Sequence, residues 1–288
     1  MKVLLTGAAG QVGQSLQRLC PNAIDLIACD RQQLDLSDDF SLRTVIQQLR
    51  PDWVINAGAY TAVDRAESEP EFATAINANA VQALAEELAK TGGNLLHIST
   101  DFVFAGDRNR PYPPEEKRQP LSVYGATKAA GEEAITQLLP TRSLIVRTAW
   151  VYGLGGRNFV TTMLRLMAER DRLTVVWDQI GTPTWTDSLA AALWQAIAQN
   201  LTGIHHCTDA GVASWYDFAV AIQDLALERG LLQRAIPIAA IPSSAYPTPA
   251  TRPAYSVLDC ADFNRAIGRD PLHWRHALAQ MLTQLATN

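Results

Sequence analysis

The apolar positions of this chain fall into short continuous runs separated by longer stretches in which they recur every three or four residues. Lys2–Thr6, Ile24–Cys29, Trp53–Ala57, Leu95–Ser99 and Ser143–Thr148 are the runs. Runs this short with no polar face predict strands buried on both sides of a sheet. Between them, Gln14–Leu19, Asp38–Leu49 and Glu71–Lys90 have helical periodicity, the last with an Ala-rich face suited to close packing. Another helix starts at Tyr124–Lys128. Strand and helix alternate through residues 1–150, which predicts an α/β fold built on a Rossmann-type, doubly wound parallel sheet.

Beyond Trp150 the alternation loosens. Helices are expected over Asn158–Arg170, Asp187–Ala198, Trp215–Gly230 and Leu272–Ala286, and strands over Thr174–Asp178 and Gly203–Cys207, the latter returning to the main sheet. Two Pro-rich tracts stand out. Asn109–Pro120 is expected to be exposed and mobile, and Ile236–Pro253 has the turn chemistry of a binding loop. The expected division is a dinucleotide-binding domain over 1–150 and a mainly substrate-binding lobe over 151–288. The lobe covers the C-terminal edge of the sheet, where open α/β sheets collect ligands.

Candidate chemistry begins directly after the first strand. Gly7, Gly10 and Gly13 form a G-x-x-G-x-x-G turn running into a helix, an arrangement that turns backbone N–H groups toward a pyrophosphate. Asp30 ends the second strand, where an acid can accept from the ribose hydroxyls of NAD. Its neighbour Arg31 suits a 2′-phosphate instead, so NADH and NADPH both stay open. A turn-capping role for Asp30 is the plainer alternative. Asp35 and Leu36 follow, with a weak signal for the adenine edge. Tyr124 and Lys128 stand four apart on one helical face. A nearby ammonium lowers a phenol from its resting value of about 10 and would make Tyr124 an acid–base group. The same pair also occurs by chance on solvated helix faces. Thr100, at the end of the fourth strand, can hydrogen-bond a substrate oxygen on which charge develops. In the second lobe Asn158, Gln179 and Arg252 are polar groups able to hold a charged substrate.

Composition narrows the partners. Of 288 residues 48% are hydrophobic and 18% charged, and the net charge is −5 with no basic cluster, which argues against nucleic acid. No apolar run reaches the roughly 18 residues of a membrane span, and the residues after Met1-Lys2 are too few for a signal sequence. Cys20, Cys29, Cys207 and Cys260 lack metal-ligand spacing and read as reduced, mostly buried thiols of a cytoplasmic protein. His205-His206 and His273/His276 have no acidic or thiol companion nearby in sequence, so no metal is expected.

Several blocks together carry a resemblance. They are Leu4-Leu5-Thr6-Gly7-Ala-Ala-Gly10-Gln-Val-Gly13, Asn56-Ala-Gly-Ala-Tyr-Thr-Ala-Val-Asp64 with Ala66-Glu67, Ser99-Thr100-Asp101-Phe-Val-Phe104, and Tyr124-Gly125 to Lys128. Further along come Arg147-Thr-Ala-Trp150-Val-Tyr152, Asp178-Gln179-Ile-Gly-Thr-Pro183-Thr184, and Ala245-Tyr-Pro-Thr-Pro-Ala250 with Arg252-Pro253. Over nearly its whole length the chain resembles the extended short-chain dehydrogenase/reductases that act on nucleotide sugars. More narrowly, it resembles the dTDP-4-dehydrorhamnose reductase family, from which the last three blocks exclude related dehydratases and epimerases.

The resemblance implies NAD(P)H-dependent reduction of the C4 ketone of dTDP-4-dehydro-L-rhamnose, the last step of dTDP-rhamnose synthesis. It implies Thr100, Tyr124 and Lys128 as the catalytic set, with threonine where many relatives have serine. Gly7, Gly10, Gln11, Val12, Asp30, Asp35, Leu36, Ala59, Tyr60, Thr61, Tyr124 and Lys128 would hold NADPH or NADH. Thr100, Asp101 and Trp150 would meet the sugar, and Asn158, Gln179 and Arg252 the nucleotide diphosphate. Some family members dimerise through a metal held by acidic residues. Here Gln14-Ser15 offers no carboxylate and the second place only Asp187, so a monomer or weak homodimer without metal is expected. Two other readings share the fold: another nucleotide-sugar reductase or epimerase, and a non-catalytic regulatory subunit of methionine adenosyltransferase.

Overall fold

Strands that are apolar on both faces stay dry only when helices cover both sides, and one six-stranded parallel sheet meets that demand. The computed structural model describes residues 1–287. The strands are β1 (Lys2–Thr6), β2 (Asp25–Cys29), β3 (Trp53–Asn56), β4 (Asn94–Thr100), β5 (Ser143–Thr148) and the later strand Gly203–His206. Across the sheet they run Gly203–His206, β5, β4, β3, β1, β2, all parallel. The strand expected at 203–207 therefore rejoins the sheet, setting His206 opposite Arg147. The order changes direction between β3 and β1, which opens a crevice at their C-terminal ends.

Successive residues of each strand feed opposite cores. Val3, Leu5 and Ile55 pack with Leu16 of helix α1 (Gln11–Arg18) and with Leu189, Leu193 and Trp194 of the helix Thr186–Ala198. Leu4, Val54 and Ile145 face the other way, onto Leu42 and Ile46 of α2 (Asp39–Leu49), Leu84 and Leu88 of Ala80–Thr91, and Ile135 of Val123–Leu138. A third core lies in the C-terminal part. There Met167, Phe218, Ile222, Leu278 and Met281 join the helices Phe159–Glu169, Trp215–Glu228 and Trp274–Thr287.

Four expectations are corrected. Helix α1 begins at Gln11 instead of Gln14, because Gly10 is already its N-cap and the helix springs straight from the glycine turn. The long helix expected over Glu71–Lys90 is three pieces: Pro70–Thr74, a π turn over Ala75–Asn79, and Ala80–Thr91. The Asn109–Pro120 loop is exposed along much of its length, as expected, but it is anchored: Tyr112 is buried, stacks on Phe104 and donates its N–H to the Val257 carbonyl. Within the Pro-rich tract, Ile238–Ile241 is free of proline and pairs in parallel with Leu173–Val176. Of the four thiols, only Cys207 is fully buried.

One charged cluster is sealed inside. Glu132 is fully buried and accepts from Arg147 Nε at 2.9 Å and Nη2 at 2.6 Å, and from Ser99 Oγ at 2.5 Å. Arg147 also donates to the Pro114 carbonyl and lies over the Phe104 ring, so it ties the Pro-rich loop to the sheet. Removing one partner of a buried pair strands the other charge. Glu132→Ala is accordingly expected to lower the unfolding free energy by about 3–5 kcal/mol in urea denaturation. A loss below about 1 kcal/mol would show that the pair does not hold the helix to the sheet.

Candidate active site

The crevice between β1 and β3 is floored by glycine. Gly7 has φ +70, in the left-handed region that a side chain resists, and a Cβ on Gly13 would run into the Gly7 carbonyl. The Gly10 N-cap offers no side chain, which leaves the first N–H groups of α1 facing outward. This bare turn at a helix N-terminus fits a dinucleotide pyrophosphate. Val12 is half-buried in the first turn of α1, and Leu36 is buried against Gly58.

Asp30, Asp35 and Tyr60, assigned to the cofactor, already have partners. The Asp30 carboxylate accepts from the backbone of Gln32 and Gln33, and Asp35 accepts from the Ser37 backbone and hydroxyl. Those Ser37 bonds, the backbone one first, hold Asp35 below the usual carboxylate range. Arg31 pairs with Asp35 at 3.2 Å. Ala59, Tyr60 and Thr61 follow β3 along the crevice. The Asn77 side chain clamps the Tyr60 backbone, accepting from its N–H and donating to its carbonyl, while the Tyr60 hydroxyl donates to Glu69. Asn77 lies in the π turn, whose extra residue aims it there.

Thr100, Asp101 and Tyr124 come together beside this crevice. Ser122 caps the helix Val123–Leu138 and accepts from the Gly125 N–H, so Tyr124 stands in the first helical turn. The Thr100 hydroxyl donates to Asp101 Oδ1 at 3.0 Å and accepts from the Phe102 N–H. Burial pushes the Tyr124 phenol up to about 12; the Thr100 hydroxyl pulls it back and Asp101 adds to the rise. The expected depression of Tyr124 by Lys128 is therefore absent. Lys128 is buried and turned to the Ile98 carbonyl at 2.7 Å and to His97 Nε2 at 3.1 Å. Burial brings Lys128 down to about 8, with Glu132 opposing. Asp101 is pushed up to about 6 by burial, and its Oδ2 is without a partner among the described residues. At neutral pH Tyr124 holds its proton, which makes it an acid and not a resting base.

The residues assigned to the diphosphate are more dispersed. Asn158 caps the helix Phe159–Glu169 in a capping box with Thr161, and its amide also donates to Gln11 Oε1 and the Gly153 carbonyl. It thus ties the second lobe to the glycine turn. Arg252 makes a two-pronged pair with Asp64, at 3.0 and 2.8 Å. Gln179 is half-buried just before the short strand Ile180–Gly181. Trp150 has φ +48, rare for a side chain of its size, and stacks face to face on Trp215 at 3.5 Å. Sequence reasoning missed Trp215, Asp64, Asn77 and His97, each far along the chain from the residue it serves. The helical N-terminus at Trp215, the polar His97 inside an apolar run and the place of Asp64 in a family block were the signals present in the sequence.

The family model described as the RmlD substrate binding domain matches residues 1–287. A dTDP-4-dehydrorhamnose reductase of Salmonella typhimurium is 41% identical over 100% of this chain and 99% of its own length. The crystal structure of a dTDP-4-dehydrorhamnose reductase from Clostridium acetobutylicum superposes with a TM-score of 0.93 over 99% of both chains, at 38% identity. That of a dTDP-4-dehydrorhamnose reductase from Bacillus anthracis in complex with NADP reaches 0.92 over 98% of this chain and 99% of that one, at 34% identity. Fold, glycine turn and full-length likeness thus converge, and this chain belongs to the dTDP-4-dehydrorhamnose reductase family.

Proposed function

We propose that this chain reduces the C4 ketone of dTDP-4-dehydro-L-rhamnose to dTDP-L-rhamnose with NADPH or NADH, the last step of dTDP-rhamnose synthesis. The observation that carries the reading is the full-length likeness to reductases of that name; the nearness of Thr100 to Tyr124, with Lys128 one helical turn further along the same helix, supports it. The dinucleotide, when bound, supplies a hydride to C4. Gly7, Gly10, Gln11 and Val12 would seat its pyrophosphate, Asp30, Asp35 and Leu36 its adenosine end, and Ala59, Tyr60 and Thr61 the wall beside it.

The chain's own part is proton delivery and charge stabilisation. Tyr124, protonated through the working range, gives its proton to the C4 oxygen as charge builds there. Thr100 stands beside it and re-aims its hydroxyl from Asp101 to that oxygen. Lys128 lies one helical turn deeper and supplies a positive charge behind the phenol. Asp101 and Trp150 would bound the sugar. Arg252 would turn its planar fork to the diphosphate, with Asn158 and Gln179 beside it, by exchanging the carboxylate of Asp64 for phosphate oxygens.

The supported division of labour is a dinucleotide-binding domain over 1–150, completed by the strand Gly203–His206, and a substrate lobe over the rest. We place the protein in the cytoplasm. For assembly the reading is a monomer or weak homodimer without metal. In support, Arg18 occupies Asp187 at 2.6 Å, and Ser15 donates to the same carboxylate.

NAD(P)H absorbance with dTDP-4-dehydro-L-rhamnose tests the reaction. Tyr124→Phe is expected to lower kcat by about 100-fold or more while cofactor binding persists. Undiminished turnover in that variant would remove Tyr124 from the acid role. The pH profile follows from Lys128: its charge is present below its folded value and lost above it, so kcat is expected to fall as pH rises through about 8. A profile flat to pH 10 would show that the Lys128 charge is not needed.

A further inference from the structure

Behind Lys128, a line of buried polar side chains crosses three neighbouring strands. Lys128 Nζ lies 3.1 Å from Nε2 of His97 on β4. His97 Nδ1 lies 3.1 Å from the carboxamide of Asn56 on β3, and the far end of that carboxamide is 2.7 Å from Thr6 Oγ1 on β1. Lys128 is 2% exposed, His97 and Thr6 0%, and Asn56 1%. The line ends against the glycine turn, since Thr6 precedes Gly7 and its hydroxyl faces Gly58. None of the chemistry above uses His97, Asn56 or Thr6.

A buried line of this kind must alternate donor with acceptor. With the Asn56 NH2 turned to His97 Nδ1 and its oxygen accepting from Thr6, the ring hydrogen sits on Nε2, and Lys128 must accept as a neutral amine. With Lys128 as an ammonium, which only donates, Nε2 must be bare and the hydrogen moves to Nδ1. The Asn56 amide then turns over, offering its oxygen to the ring and its NH2 to Thr6. Both arrangements keep a donor facing an acceptor at each contact from Lys128 to Thr6, and they differ by one proton on Lys128. The ring itself stays neutral in both: burial first, and the Lys128 charge second, hold His97 well below its ordinary range. Around the pair, β4 contributes His97 and, just past its end, Asp101, the helix contributes Tyr124 and Glu132, and β3 contributes the uncharged Asn56. Glu132 is already held by Arg147 and Ser99.

We propose that His97 is a positioning residue for the reduction, whose imidazole aims Lys128 and matches its two charge states by exchanging tautomer while the Asn56 amide turns over. The inference rests on the reading of Lys128 as part of the catalytic set. It explains why a histidine interrupts the apolar run Leu95–Ile98 in the middle of the sheet.

The test combines ring-15N NMR of the His-labelled protein with steady-state kinetics, His97→Gln also serving to assign the signal. The expected result is a His97 ring that stays neutral from pH 6 to 10 and passes from the Nδ1–H to the Nε2–H tautomer as Lys128 titrates, near about pH 8. A single tautomer throughout, or titration to imidazolium, overturns the proposal. In kinetics, His97→Leu removes one of the two acceptors of the ammonium and leaves only the Ile98 carbonyl, so Lys128 loses its proton earlier. The basic limb is expected to move about one unit lower, with kcat reduced about tenfold and the sugar-nucleotide KM little changed. His97→Gln, whose carbonyl still accepts from Lys128, should restore the limb. A purely structural histidine would instead leave limb and kcat per folded molecule unmoved in both variants. Lys128→Met separates the two failures. If it stays active, the catalytic reading falls; if it is inactive while His97→Leu behaves as wild type, only the positioning role falls.

Discussion

The molecule depends on one helix that sets a polar stripe, beside its apolar Ile135, against interior strands of a parallel sheet. Tyr124, Lys128 and Glu132 recur every four residues along Val123–Leu138, so all three turn toward β4 and β5. Lys128 and Glu132 are taken out of water, Tyr124 is half-buried, and each needs its own answer. Glu132 receives Arg147 and Ser99, Lys128 receives His97 and the Ile98 carbonyl, and Tyr124 is left at the open end beside Thr100. The innermost pair fixes the helix, the middle group supplies charge, and the outermost does chemistry. Structural strength and reactivity are thus graded along a single face.

Much of this was legible in the chain. The five apolar runs became adjacent strands because nothing else buries such runs on both faces, and the later strand at Gly203–His206 took its place beside β5. Tyr124 and Lys128 were placed correctly on one helix, since four-residue spacing needs no tertiary information. Their electrostatics were not legible. Whether an ammonium faces a phenol or turns away is decided by what lies behind it, and His97 comes from a strand thirty-one positions earlier. The same holds for Arg252 and Asp64, whose pairing spans most of the chain. Boundaries failed where local rules were overridden: at Gly10, which starts a helix early, and at Ile238–Ile241, which a proline-rich setting disguised.

The two lobes are joined at polar contacts that also border the crevice. Asn158 meets Gln11 of the glycine turn, and Arg252 meets Asp64 beyond β3. Each has one partner from the sheet side and one from the second lobe. A ligand that drew away either side chain would therefore loosen a link between lobes while making its own contact, so binding and lobe geometry share the same few atoms.

The π turn at Ala75–Asn79 has a consequence for how this chain can change in length. A π turn holds one residue more than the α-helix around it, and here that surplus carries Asn77 to the backbone of Tyr60 and to Thr127. Deleting a single residue between Pro70 and Thr91 would give a more regular helix, and by propensity alone a better one. The same deletion would rotate everything after it by a fraction of a turn and withdraw the clamp from the crevice wall. The register of this helix is therefore counted from the ligand side of the molecule, and an apparent irregularity marks where local regularity has yielded to a distant requirement.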